Sequence, residues 1–214
     1  MTWLGRIFGT SVAVASAAAP NCASAEDAQK VFEYVEASGF ISLAAPEERV
    51  GLQAALMQRG AAAIFEAQSL LAPADAEDIA EGGVATFLED IEPRLARFGV
   101  QLGAISETYE EDRHVVHVGG REWTIWSNDR DGSPDTVEMG KFWAVSTART
   151  FALLNDRLAA SGTQIRAYAV GGGEDGLVFF LTPTVAASLA RIKELGREAP
   201  YLMTETPPYY GAPQ

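Results

Sequence analysis

Cysteine is almost absent from this chain of 214 residues, which has a single one, Cys22. One cysteine forms no internal disulfide and does not supply the clustered thiolates of a structural zinc site. Its neighbours Pro20 and Asn21 differ from the small and aliphatic residues that a lipoprotein attachment site requires. We therefore expect no disulfide, no cysteine metal site and no thiol catalysis.

Positive charge is also scarce, since 16 Lys and Arg residues stand against 29 Asp and Glu residues and the formal net charge is -13. Such a charge repels nucleic acid and anionic membrane surfaces at long range, and it attracts a basic partner. No segment has the 18 or more apolar residues that a membrane span needs. The composition therefore predicts no nucleic-acid binding and no stable membrane insertion of the mature chain.

Catalytic signatures are missing too, because the chain has no G-x-S-x-G, H-E-x-x-H or P-loop lysine pattern. It does contain a literal G-x-G-x-x-G at Gly171, Gly173 and Gly176. In a dinucleotide site this motif opens a helix, whereas here a predicted strand follows it, and the carboxylates of Glu174 and Asp175 would repel a phosphate. The Asp175-Gly176 dipeptide between two apolar segments predicts a hairpin turn instead.

The N-terminal residues 1–25 have the layout of a cleavable secretory signal. Arg6 precedes an apolar stretch from Ile7 to Ala19, and Ala23-Ser24-Ala25 resembles a cleavage site. We expect a bacterial protein that is periplasmic or secreted. A frayed N-terminal helix in a cytoplasmic protein is the alternative.

The remaining chain divides by composition into a helical N-terminal region, residues 26–98, and an α+β domain, residues 99–198. The first region is alanine-rich and helical in period, with predicted helices that include one over about 47–71. Glycine and proline residues predict helix ends or breaks in this region. They are Gly39, Gly60, Gly82, Gly83 and Pro93.

The second region predicts the order β-β-β-α-β-β-α, because β-branched and aromatic residues alternate with turn residues there. We expect one mainly antiparallel five-stranded sheet covered by helices, an α+β fold, and an irregular Pro-rich tail over 199–214. The predicted strands span 101–109, 113–118, 121–127, 164–170 and 177–183. The predicted helices span 140–160 and the stretch from Thr182 to Gly196.

The stretch from Ser127 to Glu138 resembles a calcium loop of the EF-hand type. The resemblance implies a Ca²⁺ site with the oxygen ligands Asp129, Asp131, Asp135 and Glu138. However, Ser127 replaces the first Asp, Pro134 occupies the eighth position, and a strand rather than a helix is predicted before the loop. We expect a solvated acidic loop and no cofactor, with Ca²⁺ binding as the alternative.

His114 and His117 are the two histidines of the chain. On a strand, residues three apart point to opposite faces, so these side chains cannot chelate one metal ion. We expect each at the surface or in a cross-strand pair.

Acidic residues cluster at two predicted turns, which we expect at the ends of the sheet. Aromatic residues beside fixed charge are typical of protein-binding surfaces. A hydrated rim above core tryptophans is the alternative. The predicted partner-binding residues are Glu107, Tyr109, Glu110, Glu111, Asp112, Trp126, Asp129, Asp131 and Asp135.

The size, the acidity, the lack of catalytic signatures and the sheet-plus-helix layout are similar in kind to bacterial toxin-immunity proteins. Proteins of that kind block a toxin by covering its active surface, although the similarity maps no individual residue. The leading hypothesis is a non-enzymatic acidic binding protein, of an immunity or inhibitor type, that engages a basic protein partner. The alternatives are an exported hydrolase with a carboxylate-based site and a structural or accessory envelope protein.

Overall fold

A computed structural model describes residues 25–138 and 140–206 of the chain. Except for Ala25, the expected signal segment with Cys22 lies outside the described residues, as does the end of the tail, 207–214. Within the described ranges, no helix is both long enough and apolar enough to cross a bilayer. The fold is α+β, as expected.

The first part of the chain is helical, and glycine separates its first two helices. Gly39 has a φ of 87° and an open environment, so it ends the first helix at little steric cost. The helices of this part are α1 (Ala25–Ser38), α2 (Phe40–Leu43), α3 (Pro46–Arg59), α4 (Ala76–Asp78) and α5 (Val84–Ala96).

The break predicted at Gly60 is confirmed, because Gly60 has a φ of 61° and α3 ends at Arg59. The rest of the stretch predicted over 47–71 tightens into a 3₁₀ segment, Gly60–Glu66, before the chain enters a short strand. The break predicted at Pro93 is wrong, since helix α5 continues through that proline. The carbonyl of Glu89, which this proline leaves without an intrahelical donor, belongs to an exposed residue.

The strands form two antiparallel three-stranded sheets, with the orders β1-β6-β5 and β2-β3-β4, instead of the single five-stranded sheet that we expected. The first sheet gains a strand from the helical region, and a helix separates the two sheets. The strands are β1 (Leu71–Pro73), β2 (Ile105–Glu110), β3 (Arg113–Val118), β4 (Arg121–Ser127), β5 (Arg166–Val170) and β6 (Leu177–Leu181).

The sheet β1-β6-β5 is buried on both faces and divides the core in two. Side chains alternate along β6, so that Phe179 and Leu181 pack against α1, α3 and α8, while Val178 and Phe180 pack on the side of α5 and α7. Strand β1 pairs with β6 at Leu71↔Phe179. The predicted helical region and the predicted α+β domain therefore share one sheet.

The long helix α7 (Lys141–Ala160) lies between the two sheets, in contact with β4 on one side and β5 on the other. Its predicted span of 140–160 is confirmed. Every residue from Ala144 to Phe151 is buried, so the helix is covered on all its faces there. An amphipathic helix at a surface buries only one face, and the wider burial of α7 follows from its two flanking sheets.

The glycine-rich segment closes the β5–β6 hairpin, as predicted, through a 3₁₀ turn over Gly173–Asp175. Gly171 and Gly173 have positive φ values of 66° and 68°. Gly176 does not, but a Cβ there would lie 2.6 Å from the carbonyl oxygen of Ala74, so close approach of the chain requires glycine.

The last helix, α8 (Pro183–Leu189), begins as predicted, with the Thr182 hydroxyl accepting a hydrogen bond from the amide of Val185 at 3.3 Å. It ends before Gly196, and a 3₁₀ segment, Lys193–Glu198, follows it. The tail up to Thr206 is irregular but attached, because Tyr201 and Ala169 exchange two backbone hydrogen bonds of 2.8 and 2.9 Å.

Candidate functional site

An acidic groove of about 500 Å³ lies between the end of β1 and the helical segment from α4 to α5. Asp78, Glu81 and Asp90 are exposed. The half-buried carboxylate of Asp75 accepts hydrogen bonds from the amides of Glu77 and Asp78 and so caps α4. No sequence pattern indicates this groove, because its acids are spread over several elements. Those acids are Asp75, Asp78, Glu81 and Asp90.

A kink in the helical segment, Ile79–Gly83, forms one wall of the groove and interrupts the helix at the predicted Gly82-Gly83 position, since Glu81 and Gly82 have non-helical backbone angles. A Cβ on Gly82, whose φ is 97°, would lie 3.1 Å from Cγ of Tyr109. A Cβ on Gly83 would lie 2.5 Å from the carbonyl oxygen of Asp78. Both positions therefore need glycine.

Glu107, predicted to bind a partner, points inward from β2 to the start of α5. Its carboxylate accepts hydrogen bonds from the amides of Val84 at 3.1 Å and Ala85 at 2.9 Å, and it lies 2.5 Å from Nε2 of His114. Burial alone raises the pKa of Glu107, but the hydrogen bonds from His114 and these amides outweigh it and hold the pKa below its ordinary value. The side chain neutralises the positive end of α5.

Tyr109 connects the groove to the next acidic cluster. Its ring is 50% exposed, packs over Gly82 and meets the ring of His114 edge-on at 5.1 Å. Partial burial and the negative charge of Glu81 both raise the pKa of its hydroxyl. The exposed aromatic side chain of Tyr109 therefore stands beside Glu81, one of the carboxylates of the groove.

The turn after Tyr109 brings together acids from both predicted clusters. Glu110, Glu111 and Asp112 are exposed, and the carbonyl oxygen of Asp112 accepts a 2.9 Å hydrogen bond from the amide of Asn128. This contact places the turn beside α6 (Asn128–Asp131), where Asp129 is exposed. We call the acids of the groove, of the turn after Tyr109 and of the start of α6 the acidic surface. It comprises Asp75, Asp78, Glu81, Asp90, Glu110, Glu111, Asp112 and Asp129.

Asp131 is not part of the acidic surface, because its carboxylate is buried against Arg149 of α7. Two hydrogen bonds of 2.7 Å join the two side chains, whose exposed fractions are 7% and 8%. Arg149 also donates to Glu205 in the tail and to the carbonyl oxygen of Ile125. Burial raises the pKa of Asp131, but the hydrogen bonds from Arg149 and the Ser127 amide outweigh this effect and hold the pKa below its ordinary value.

Arg149 is not among the residues predicted from the sequence. The available signal is that Arg149 is the one charged residue between Phe142 and Asn155, a stretch otherwise apolar or neutral. A cation in such a stretch needs a buried partner. The β3–β4 ladder has a bulge near Ile125. There the carbonyl oxygen of Ile125 leaves the regular strand pairing and accepts a hydrogen bond from the guanidinium of Arg149.

Trp126, also predicted to bind a partner, is a core residue. Its ring is 2% exposed and meets Phe142 edge-on at 5.0 Å, while its indole N–H donates to the side-chain oxygen of Asn128. The alternative of core tryptophans below a hydrated rim therefore describes Trp126 correctly.

The candidate metal ligands do not converge in the part of the chain that the structure describes. No group of three or more His, Cys, Asp or Glu side chains there could hold an ion. Asp131 is bound by Arg149, and Asp135 and Glu138 are exposed farther along the loop that leads to α7.

The two histidines lie on opposite faces of β3, as predicted. His114 is 1% exposed and pairs with Glu107 on β2, whereas His117 is exposed and lies 3.2 Å from Glu122 on β4. Both are in cross-strand pairs.

Comparisons of the chain with protein-family models, with curated proteins and with solved structures found no match.

Proposed function

We propose that this protein is a non-enzymatic binding protein, of an immunity or inhibitor type, whose acidic surface engages a basic segment of a protein partner. The observation that carries the proposal is the position of Tyr109. Its half-exposed ring stands between the carboxylates of the groove and the acidic turn Glu110–Asp112.

The charges of the acidic surface support this kind of partner. Carboxylates of one sign along a groove attract a Lys- or Arg-bearing segment and speed its encounter. The groove of about 500 Å³ is large enough for basic side chains to enter, and Tyr109 offers apolar contact beside them. Affinity then comes from the aromatic contact and specificity from the charges.

Three of the predicted partner-binding residues point inward and are therefore left out of the proposed interface. Glu107, Asp131 and Trp126 are occupied by intramolecular contacts, so the interface does not depend on them. The exported hydrolase and the envelope protein stand as alternative hypotheses that no observation of the described residues favours.

The test is capture of a partner from the native organism with a matched pair of triple variants. In D78N/E81Q/D90N the groove loses three exposed carboxylates, whereas in E33Q/E36Q/E47Q three exposed carboxylates are lost from α1 and α3. The wild type and the α1/α3 variant are expected to retain the same stoichiometric partner at low salt. The groove variant is expected to lose this partner, and moderate salt is expected to weaken partner binding wherever it occurs.

Failure to recover any stoichiometric partner at low and moderate salt would contradict the proposal. Equal capture by the two triple variants would contradict the assignment of the interface. Far-UV circular dichroism confirms that each variant is folded.

We further propose that the protein acts in the periplasm or after secretion, on the basis of the signal-like residues 1–25. The intact mass of the protein from its native host should correspond to a chain without these residues. A chain that still begins with Met1 would support the cytoplasmic alternative.

A further inference from the structure

A second groove, of about 490 Å³, lies between α1 and the segment that follows α8. Its apolar surface comes from Val31 and Tyr34 of α1 and from Ile192, which is 6% exposed. Tyr34 is 39% exposed, one of the few large hydrophobic side chains of the described residues that remain open to solvent. We call this groove the basic groove. It is lined by Lys30, Val31, Tyr34, Arg191, Ile192, Lys193 and Glu194.

The charge of the basic groove is opposite to that of the whole chain. Three of its lining residues, Lys30, Arg191 and Lys193, are cations and one, Glu194, is an anion, whereas the chain has 16 basic and 29 acidic residues. Lys30 lies 2.7 Å from the carboxylate of Glu26 in an exposed pair. Among the described residues, no carboxylate lies within 4.0 Å of the charged groups of Arg191 and Lys193.

These two cations are therefore available to a ligand at the rim of an apolar groove. Charges act over about 10 Å at ordinary salt, and those at the groove are Arg191 and Lys193, the lining anion Glu194 and the Lys30–Glu26 pair. The volume lies within the range of small-molecule sites, which combine apolar walls with a few polar groups that fix orientation.

We propose that the basic groove binds an amphipathic anion, a ligand with an apolar chain that ends in one carboxylate. The chain lies against Val31, Tyr34 and Ile192, and the carboxylate meets Arg191 and Lys193 at the rim. This site goes beyond the proposed binding of a basic partner. It uses other elements of the fold and ligands of the opposite charge.

The test is a titration of the ¹⁵N-labelled protein with sodium dodecanoate, kept below the concentration at which it forms micelles. Saturable amide shifts are expected to cluster at Val31, Tyr34 and Ile192. The variant R191A/K193A is expected to bind about fivefold more weakly, the combined effect of two exposed charge pairs.

The matched control is R113A/R121A, which removes two positive charges from the sheet β2-β3-β4 and should leave the affinity unchanged. Dodecyltrimethylammonium, with the same chain and the opposite charge, should not produce the same shifts. The proposal is overturned if dodecanoate does not saturate, if the cationic amphiphile shifts the same amides equally, or if both double variants bind like the wild type.

Discussion

Arg149 joins three parts of the chain that are distant in sequence. From the middle of α7 it holds Asp131 before the helix and Glu205 in the tail, and it donates to the carbonyl oxygen of Ile125 on β4. Because both Arg149 and Asp131 are almost fully buried, the charge of Arg149 needs Asp131 and Glu205, and the charge of Asp131 is compensated chiefly by Arg149. Arg149 therefore ties both the tail and the acidic loop to the central helix.

The variant R149M should lower the free energy of unfolding by about 3 kcal/mol, because the buried carboxylate of Asp131 loses both hydrogen bonds from its main cation. Urea denaturation measures this loss. The control R121M breaks the exposed pair with Asp156 at 2.9 Å and should cost less than about 1 kcal/mol. Equal losses for the two variants would show that the Arg149 network contributes no more than a surface pair.

Glu107 should make stability depend on pH. Since the folded protein holds its pKa below the ordinary value, the stabilisation is complete above the unfolded pKa of about 4.3 and is lost as the pH falls through the folded pKa. The variant E107Q should be about 1 kcal/mol less stable than the wild type at pH 7, because it loses charge-assisted hydrogen bonds to α5 and His114.

Urea denaturation at several pH values should show the difference between E107Q and the wild type shrinking below about pH 4. E110Q is the control, since Glu110 is an exposed residue of the same strand. A constant difference across the pH range would contradict the role of the Glu107 carboxylate.

The sequence placed Glu107, Tyr109 and Trp126 on strands, but it did not tell which face each side chain takes. Alternation along β2 puts Glu107 and Tyr109 on the same face, yet one is held by α5 and the other is half-exposed. That difference depends on where α5 begins relative to β2. The contact between the start of α5 and Glu107 joins segments about 20 residues apart in sequence. Which of the predicted residues point outward therefore depends on long-range packing that the sequence pattern does not report.

Among the elements, the kink Ile79–Gly83 has the strictest sequence requirement. Gly82 combines a positive φ with contact to the ring of Tyr109, so a side chain is both strained and crowded there. The kink holds Glu81 beside Tyr109, and the shape of the acidic groove thus depends on a glycine.

The variant G82A should destabilise the protein by about 2 kcal/mol, measured by thermal unfolding. G51A is the matched control, because Gly51 lies inside α3 without a positive φ, and a Cβ added there would meet nothing within 4 Å. It should stabilise the protein by up to about 1 kcal/mol. The same sign of change in both variants would contradict the conformational argument.

Elements set by local sequence were predictable, and those set by distant pairing were not. The strands 113–118 and 121–127, helix α7 and the start of α8 follow from periodicity, turn glycines and a Thr-Pro cap. Strand β1 has three residues, one of them proline, and it forms only because β6 provides its partner. The division into two sheets depends on that pairing and on the placement of α7, which no local pattern reports.

At the scale of the whole molecule, the sheet β1-β6-β5 couples the two halves of the core. Adjacent residues of β6 point into different halves, Phe179 toward α1 and α3 and Phe180 toward α5 and α7. A loss of packing in either half therefore disturbs the same strand.

The variants F179L and F180L should each lower the free energy of unfolding by about 1 to 2 kcal/mol and keep a single cooperative transition. Differential scanning calorimetry should give a calorimetric enthalpy equal to the van't Hoff enthalpy for both. Two separated transitions in either variant would show that the halves of the core unfold independently.

The pairing of β1 with β6 also has a consequence for synthesis. About 100 residues separate Pro73 from Leu177, its partner in the ladder. At a translation rate of about 5 to 20 residues per second, the ribosome needs roughly 5 to 20 seconds to deliver β6 after β1 has been made. During that interval the apolar face of the nascent N-terminal helices has no sheet to cover it, and the emerging chain is most exposed to chaperones and proteases.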